Sequence, residues 1–144
     1  MKTRILPAFF VLGLLGACAT THRASDSSSS PEATVRESDA VVMERGREFT
    51  RQFYDRQLDS LWSQMNEQMI QALRTVDDFA RFRQVVDEQL GSEIGVLEEV
   101  TTETSGIKVY LRKASFSKVG TPVRIQWAID SEGKITGFFV QPAR

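Results

Sequence analysis

Apolar side chains follow helical spacing in the first part of the chain and strand spacing in the rest. Residues 41–57 show the first helical pattern, in which Val42, Phe49 and Phe53 share one face while Glu and Arg fill the others. Gly46 lowers the helix propensity of this stretch by about 1 kcal/mol relative to Ala, but it does not exclude a helix. The pattern predicts an amphipathic helix with one buried face.

Two further helices are predicted. In the second, apolar residues recur at three- and four-residue steps, at Leu58, Leu61, Trp62, Met65, Met69 and Leu73. The third begins at Asp77, a good N-cap residue, and ends at Gly91, the residue type favoured just after a helix C-terminus. Its apolar stripe consists of Phe79, Phe82, Val86 and Leu90.

After Gly91 the apolar and polar side chains alternate, which is the period of a β-strand. The alternation is strictest in residues 123–129, where Trp127 lies on the apolar face. Four segments show the pattern: residues 94–101, 107–116, 123–129 and 135–140. Asp130 to Lys134 form a hairpin turn with Gly133 at the position that favours a left-handed backbone, and Pro142 ends the last strand. Three N-terminal helices followed by about four antiparallel strands predict an α+β domain, with the helices packed on one face of a curved sheet.

The N-terminus has the composition of a secretory signal peptide. A basic start is followed by an apolar stretch from Ile5 to Leu15, too short for the roughly 20 residues that span a bilayer as a helix. The Leu-Gly-Ala-Cys sequence ending at Cys18 resembles the bacterial lipobox. That resemblance implies removal of residues 1–17 and a diacylglycerol thioether on Cys18, commonly with an acyl chain such as palmitate on the new amino group. The alternatives are an ordinary signal peptide with a chance cysteine, or a short N-terminal anchor.

Residues 18–38 contain mainly Ser, Thr and charged residues and no aromatic residue. Such a segment cannot bury enough apolar surface to offset the entropy of ordering, so we expect a disordered tether. It contains His22, the one histidine of the chain. The folded domain is expected to cover residues 39–144, a length that suits one domain and is too short for two.

The charge of the chain argues against nucleic acid as a partner. Removing residues 1–17 would remove Lys2 and Arg4, which leaves 16 basic against 19 acidic residues (18 − 2 against 19), a net charge of −3. Nucleic-acid-binding proteins instead carry concentrated basic patches.

The acidic residues Glu98, Glu99 and Glu103 are expected to form a solvated strand and turn, since neighbouring strand residues point to opposite faces. We therefore expect neither a metal site nor a cofactor.

Several core and turn residues resemble a bacterial domain family of unknown function with a nuclear-transport-factor-2-like (cystatin-like) cone. The resemblance covers residues 40–142, and family members often precede an α/β-hydrolase domain or stand alone in exported proteins. The matching stretches are Arg47-Glu48-Phe49, Phe53-Tyr54, Leu58 to Trp62, Leu90-Gly91 and Ile129 to Phe138. The resemblance implies the cone-shaped sheet and carries no catalytic signature.

Some proteins with this cone fold are enzymes, so the expected pocket between sheet and helices is a possible site of catalysis. Dehydratase-type Asp–His pairs are excluded because His22 lies outside the domain. An isomerase- or lyase-like enzyme would need Tyr54 or Tyr110 beside an inward carboxylate. A tyrosine–carboxylate hydrogen bond in an open apolar cavity would favour that alternative, and a filled interior would favour binding or scaffolding.

We therefore predict a membrane-anchored lipoprotein whose domain is a non-catalytic ligand-binding or accessory module at the cell envelope. Trp62, Trp127 and Phe139, with Tyr54 at the rim, are candidate pocket residues, although both tryptophans also suit a filled core. The expected partners are the membrane, through the lipid anchor, and a small apolar ligand or an envelope protein. In a host with an outer membrane, the resemblance to lipoproteins implies sorting to the outer membrane, facing the periplasm, because Ala19 stands where retained lipoproteins commonly have Asp.

Overall fold

The computed structural model describes residues 31–143, with side chains from residue 39 onwards. The predicted signal peptide, Cys18 and the first part of the predicted tether lie outside these residues. The described part has four helices, α1 (Pro31–Tyr54), α2 (Leu58–Ser63), α3 (Glu67–Leu73) and α4 (Val76–Leu90). Four strands follow, β1 (Glu93–Thr104), β2 (Ile107–Phe116), β3 (Val119–Ile129) and β4 (Ile135–Pro142). They form one open antiparallel sheet in the order β1-β2-β3-β4, which confirms the α+β class.

Helix α1 begins at Pro31 rather than near Asp39, so it covers the last part of the segment expected to be tether. Proline is favoured at the first position of a helix because its missing N–H needs no partner there. Val42, Phe49 and Phe53 are buried, as the apolar spacing predicts. None of the helices in residues 31–143 is both long and apolar enough to span a bilayer.

The second predicted helix is two helices, which corrects the predicted count of three. The chain leaves helical geometry at Met65, where a short extended segment pairs with the start of β4. The Asn66 N–H donates to the Ile135 carbonyl at 2.9 Å, and the Ile135 N–H donates to the Gln64 carbonyl at 2.8 Å. The Asn66 side chain then accepts from the Met69 N–H and caps α3.

Helix α4 ends as predicted and begins slightly earlier than predicted. Its N-cap is Thr75 rather than Asp77, and the Thr75 hydroxyl accepts from the Asp78 N–H at 3.0 Å. Gly91 follows the last turn with a φ of 74°, in the left-handed region that glycine adopts without strain. Phe79 and Val86 are buried, whereas Phe82 lies at the edge of the buried face.

The inner face of the sheet packs against the helices around Trp127. Tyr110, Trp127 and Phe138 lie opposite one another on β2, β3 and β4. The Trp127 ring is fully buried and stacks on Phe138 with a centroid distance of 3.9 Å, while Phe49 packs against it edge-on at 5.6 Å. The interior is therefore filled at Trp127.

Gly46 allows α1 to lie directly on the sheet. A Cβ atom at this position would lie between 2.1 and 2.5 Å from atoms of the Tyr110 side chain. One turn later, the Thr50 hydroxyl donates to the Gly46 carbonyl and accepts from the Trp127 indole N–H at 2.9 Å. The close approach at Gly46 thus places the Thr50 hydroxyl where it accepts the hydrogen bond of the buried Trp127 indole N–H.

Candidate functional site

A cleft of about 470 Å³ opens between α1, the end of α4 and the adjacent parts of β1 and β2. The face of α1 that lines it carries Arg47, Thr50, Arg51 and Tyr54, residues that helical geometry brings to one side. Polar and charged side chains make up much of the lining. The ionised residues are Arg47, Arg51, Arg83, Arg112, Asp87 and Glu93.

Arg112 joins two carboxylates on the neighbouring strand. It donates from Nε to Glu93 Oε2 at 3.0 Å and from Nη2 to Glu93 Oε1 at 2.5 Å, and its Nη1 donates to Glu99 Oε1 at 2.8 Å. The three side chains are only 14–16% exposed. Glu99 lies directly across from Arg112 in the strand register, and this places the two charges on the same inner face.

Each carboxylate also accepts a tyrosine hydroxyl. Tyr54 donates to Glu93 at 2.7 Å, and Tyr110 donates to Glu99. Burial, together with these carboxylates, raises the pKa of Tyr110 to about 12 and raises that of Tyr54 further. Both tyrosines therefore stay protonated and act as hydrogen-bond donors at neutral pH.

Glu99 is held in its ionised form. The hydrogen bonds from Arg47, the largest influence, outweigh burial and lower the pKa of Glu99 to about 2. Arg47 donates to Glu99 Oε2 from both Nη2, at 2.8 Å, and Nε, at 3.1 Å. A carboxylate with so low a pKa is a weak base, so this group is poorly suited to take a proton from a substrate.

Arg83 forms the floor of the cleft near α4. It is buried, donates from Nε to the Phe53 carbonyl at 2.7 Å and forms an ion pair with Asp87. Its guanidinium carbon also lies 4.8 Å from the centre of the Phe53 ring, within reach of a cation–π interaction. Burial raises the pKa of Asp87, but Arg83 and Arg56 outweigh it and the net pKa is lowered.

Arg47 and Arg51 differ from the two buried arginines because their side chains are 51% and 53% exposed. Arg51 pairs with Glu48 on its own helix at 2.6 Å and with Asp55, just after the helix ends, at 2.8 Å, and both carboxylates are exposed. Exposed ion pairs of this kind contribute only about 0–1 kcal/mol. Arg51 can therefore exchange these partners for an anionic group in the cleft, whereas Arg47 is bound to Glu99 through Nε and Nη2 and can offer its Nη1 to such a group.

The structure does not bring the predicted pocket residues together. Trp127 is buried in the core, Trp62 is half-buried against it, and Tyr54 lines the cleft. Phe139 is 57% exposed and lies on the outer face, where its ring packs near Gly137 and Ala128. The prediction that Phe139 lines the pocket is therefore wrong. Side chains alternate along a strand, so Phe138 points inward and Phe139 points outward.

Of the residues that shape the cleft, only Tyr54 was predicted as a pocket residue, and the charged ones were not. Arg112 lies on the same face of β2 as the buried residues Tyr110, Ala114 and Phe116. The alternation of side chains along the strand could therefore have predicted that Arg112 faces the interior. Glu99, expected to be solvated, is instead mostly buried because β1 pairs with β2 in a register that sets it opposite Arg112. Arg83 carried a comparable signal, because it lies four residues after Phe79 and three before Val86, on the buried face of α4.

Residues 31–143 contain no group of three or more His, Cys, Asp or Glu side chains placed to hold a metal ion. Comparison with protein-family models, curated proteins and solved structures gave no match for the chain.

Proposed function

We propose that the protein is a membrane-anchored lipoprotein of the cell envelope, acylated at Cys18, whose folded domain is a non-catalytic, nuclear-transport-factor-2-like binding module. The observation that carries the binding function is the convergence of four arginines on one cleft. The sequence around Cys18 supports the anchor. The packing of helices on one face of the sheet supports the cystatin-like cone.

The cleft suits an anionic ligand better than the apolar ligand expected from sequence. Arg51 is exposed and paired only with exposed carboxylates, so it can turn to a carboxylate or phosphate, and Arg47 can offer Nη1 while it stays bound to Glu99. Arg112 and Arg83 are fixed by buried partners and give the cleft a rigid wall. The interior near Trp127, where an apolar ligand was expected, is filled.

An isomerase- or lyase-like enzyme is the second candidate, and the Tyr54–Glu93 hydrogen bond favours it. That pair is the arrangement such chemistry requires. The cleft around this pair is polar, however, and Arg112 donates hydrogen bonds to both carboxylate oxygens of Glu93. Glu93 would have to break its ion pair with Arg112 before it could act as a general base, so binding is the better supported role.

Tryptophan fluorescence of the mature chain tests the binding function, because the Trp127 indole bonds Thr50 and Thr50 lines the cleft. Soluble peptidoglycan fragments with free carboxylates are the first probe, with inorganic phosphate as the second. We expect saturable binding that weakens at least about tenfold in the double variant Arg47→Ala/Arg51→Ala, since each arginine supplies charge-assisted hydrogen bonds.

Arg81→Ala is the matched control, because Arg81 is 71% exposed, pairs with Asp78 on α4 and does not line the cleft. Absence of binding to both probes, or equal weakening by the control, would contradict the proposal. Mass spectrometry of the recovered ligand separates the two candidates. A ligand altered by the wild type but not by Tyr54→Phe would establish the enzyme.

A further inference from the structure

The two edges of the sheet differ in how they are protected. Strand β1 carries Glu93, Glu98, Glu99 and Glu103 and has two register irregularities against β2. Charges and bulges are devices that keep an edge strand from pairing with another chain. Strand β4, Ile135–Pro142, contains no ionisable residue, and its protective features are one register irregularity between Ile135 and Gly137 and Pro142 at its end.

The beginning of the β4 edge is already used for strand-like pairing within the chain, through the hydrogen bonds of Ile135 to the extended segment at Met65. The Ala143 N–H donates to the Pro122 carbonyl, which fixes the hydrogen-bonding phase of the rest of the strand. In that phase the N–H and C=O groups of Phe138 and Val140 point away from β3. Within residues 31–143 no further strand pairs with this edge.

An apolar groove of about 230 Å³ lies beside this edge, between α4 and the ends of β3 and β4. Phe82 and Val85 on α4 line it and remain 37% and 45% exposed, and Val140 and Pro142 form the strand side. None of its lining residues is ionisable, in a chain of which 26% of the residues are charged. A strand added to β4 would lie about 4.8 Å further out, and every second side chain of it would face α4.

We propose that the β4 edge from Phe138 to Pro142 pairs with an extended, uncharged segment of a partner protein, one apolar side chain of which enters the groove. Main-chain hydrogen bonds to Phe138 and Val140 provide affinity, and the groove selects the apolar side chain. Charge complementarity determines the class of segment, because a charged residue there would lose its hydration without gaining a counter-ion.

A second copy of the chain fits this edge less well. In an antiparallel β4–β4 pair, the inward side chains offered by the second copy would include Phe138 and Val140. Phe138 is stacked on Trp127 in the core and cannot leave it to fill a groove. Phe139 is the large exposed side chain of β4, and it points to the outer face.

The test is a phage-displayed library of uncharged heptapeptides selected against the full mature chain. We expect enrichment of peptides with apolar residues at alternate positions, and perturbation of the Phe138 and Val140 amide resonances when such a peptide binds. Val85→Lys should weaken binding at least about tenfold by placing a charge in the groove. Val96→Lys is the matched control, because Val96 is 44% exposed but lies on β1.

N-methylation of alternate amides in the enriched peptide should abolish binding, since it removes the strand hydrogen bonds. The proposal is overturned if the library yields no enrichment over the Val85→Lys variant, or if the N-methylated peptide binds equally well. It is also overturned if the two lysine variants weaken binding equally. Self-association that Val85→Lys abolishes would assign the edge to a second copy instead. Binding of anions in the arginine-lined cleft is unaffected by any of these outcomes, because the cleft and the groove are different sites.

Discussion

Removing Arg112 should destabilise the domain by leaving two mostly buried carboxylates without their shared cation. Arg112→Met keeps an unbranched apolar stem but removes two hydrogen bonds to Glu93 and one to Glu99. Glu99 retains Arg47, whereas Glu93 retains only the Tyr54 hydroxyl. Breaking a buried ion pair by removing one partner costs about 3–5 kcal/mol. We expect about 3 kcal/mol here, because the network keeps some exposure to the cleft.

Urea denaturation followed by circular dichroism measures this loss, and its pH dependence identifies the cause. An unpaired buried Glu93 prefers its neutral form, so its pKa in the folded variant rises and the penalty applies mainly above the carboxyl pKa of the unfolded chain. The difference between wild type and variant should therefore be largest at pH 7 and shrink towards pH 4. Adding Glu93→Gln to the variant should recover about 1–2 kcal/mol, since the uncompensated charge is then gone.

Arg51→Met is the control, because Arg51 lines the same cleft but its side chain and both its partners are substantially exposed. We expect it to cost less than about 1 kcal/mol. A loss below about 1 kcal/mol for Arg112→Met at pH 7 would refute the reasoning. A loss that stays constant between pH 7 and pH 4 would refute it equally, because the carboxylates would then not depend on Arg112.

Three other measurements test the anchor and the packing of the core. Mass spectrometry of the N-terminal peptide should show a lipid-modified Cys18 as the first residue, and an unmodified Cys18 or an intact Met1 would contradict the anchor. Trp127→Ala should cost about 3–5 kcal/mol in chemical denaturation because the ring is fully buried, and a loss below about 1 kcal/mol would mean that the ring is exposed. Gly46→Ala should destabilise the domain, despite the better helix propensity of alanine, because the added methyl group meets Tyr110, and a gain in stability would show that the contact is loose.

The wild-type domain should also lose stability in acid through Glu99. Its pKa is lowered from 4.5 to about 2, so the ionised form stabilises the fold above pH 4.5, and this contribution disappears as the pH falls towards 2. Solvent screening at the half-exposed Arg47 limits the contribution to about 1 kcal/mol. Glu99→Gln should remove this part of the pH dependence in acid titrations of stability, and an unchanged profile would exclude Glu99 as its source.

The sequence alone determined most of the elements and most of their buried faces. The spacing of Val42, Phe49 and Phe53 predicted the buried side of α1, because a helix of 3.6 residues per turn leaves few other ways to bury them. Alternation around Trp127 likewise identified the buried face of β3, and glycine chemistry located the end of α4 at Gly91. These features are local, so a short window of residues contains the information they require.

The tertiary structure alone decided which faces meet and what each contact demands. Met65 sits in a helical pattern, yet pairing with Ile135 breaks the helix there, and this contact spans 70 residues. Gly46 is a weak helix residue by propensity, and only the tertiary structure shows that it makes room for Tyr110. Arg112 and Glu99 form a network only because strand register sets them opposite each other. Periodicity fixes the direction of a side chain relative to its own element, whereas its partner depends on how distant elements pack.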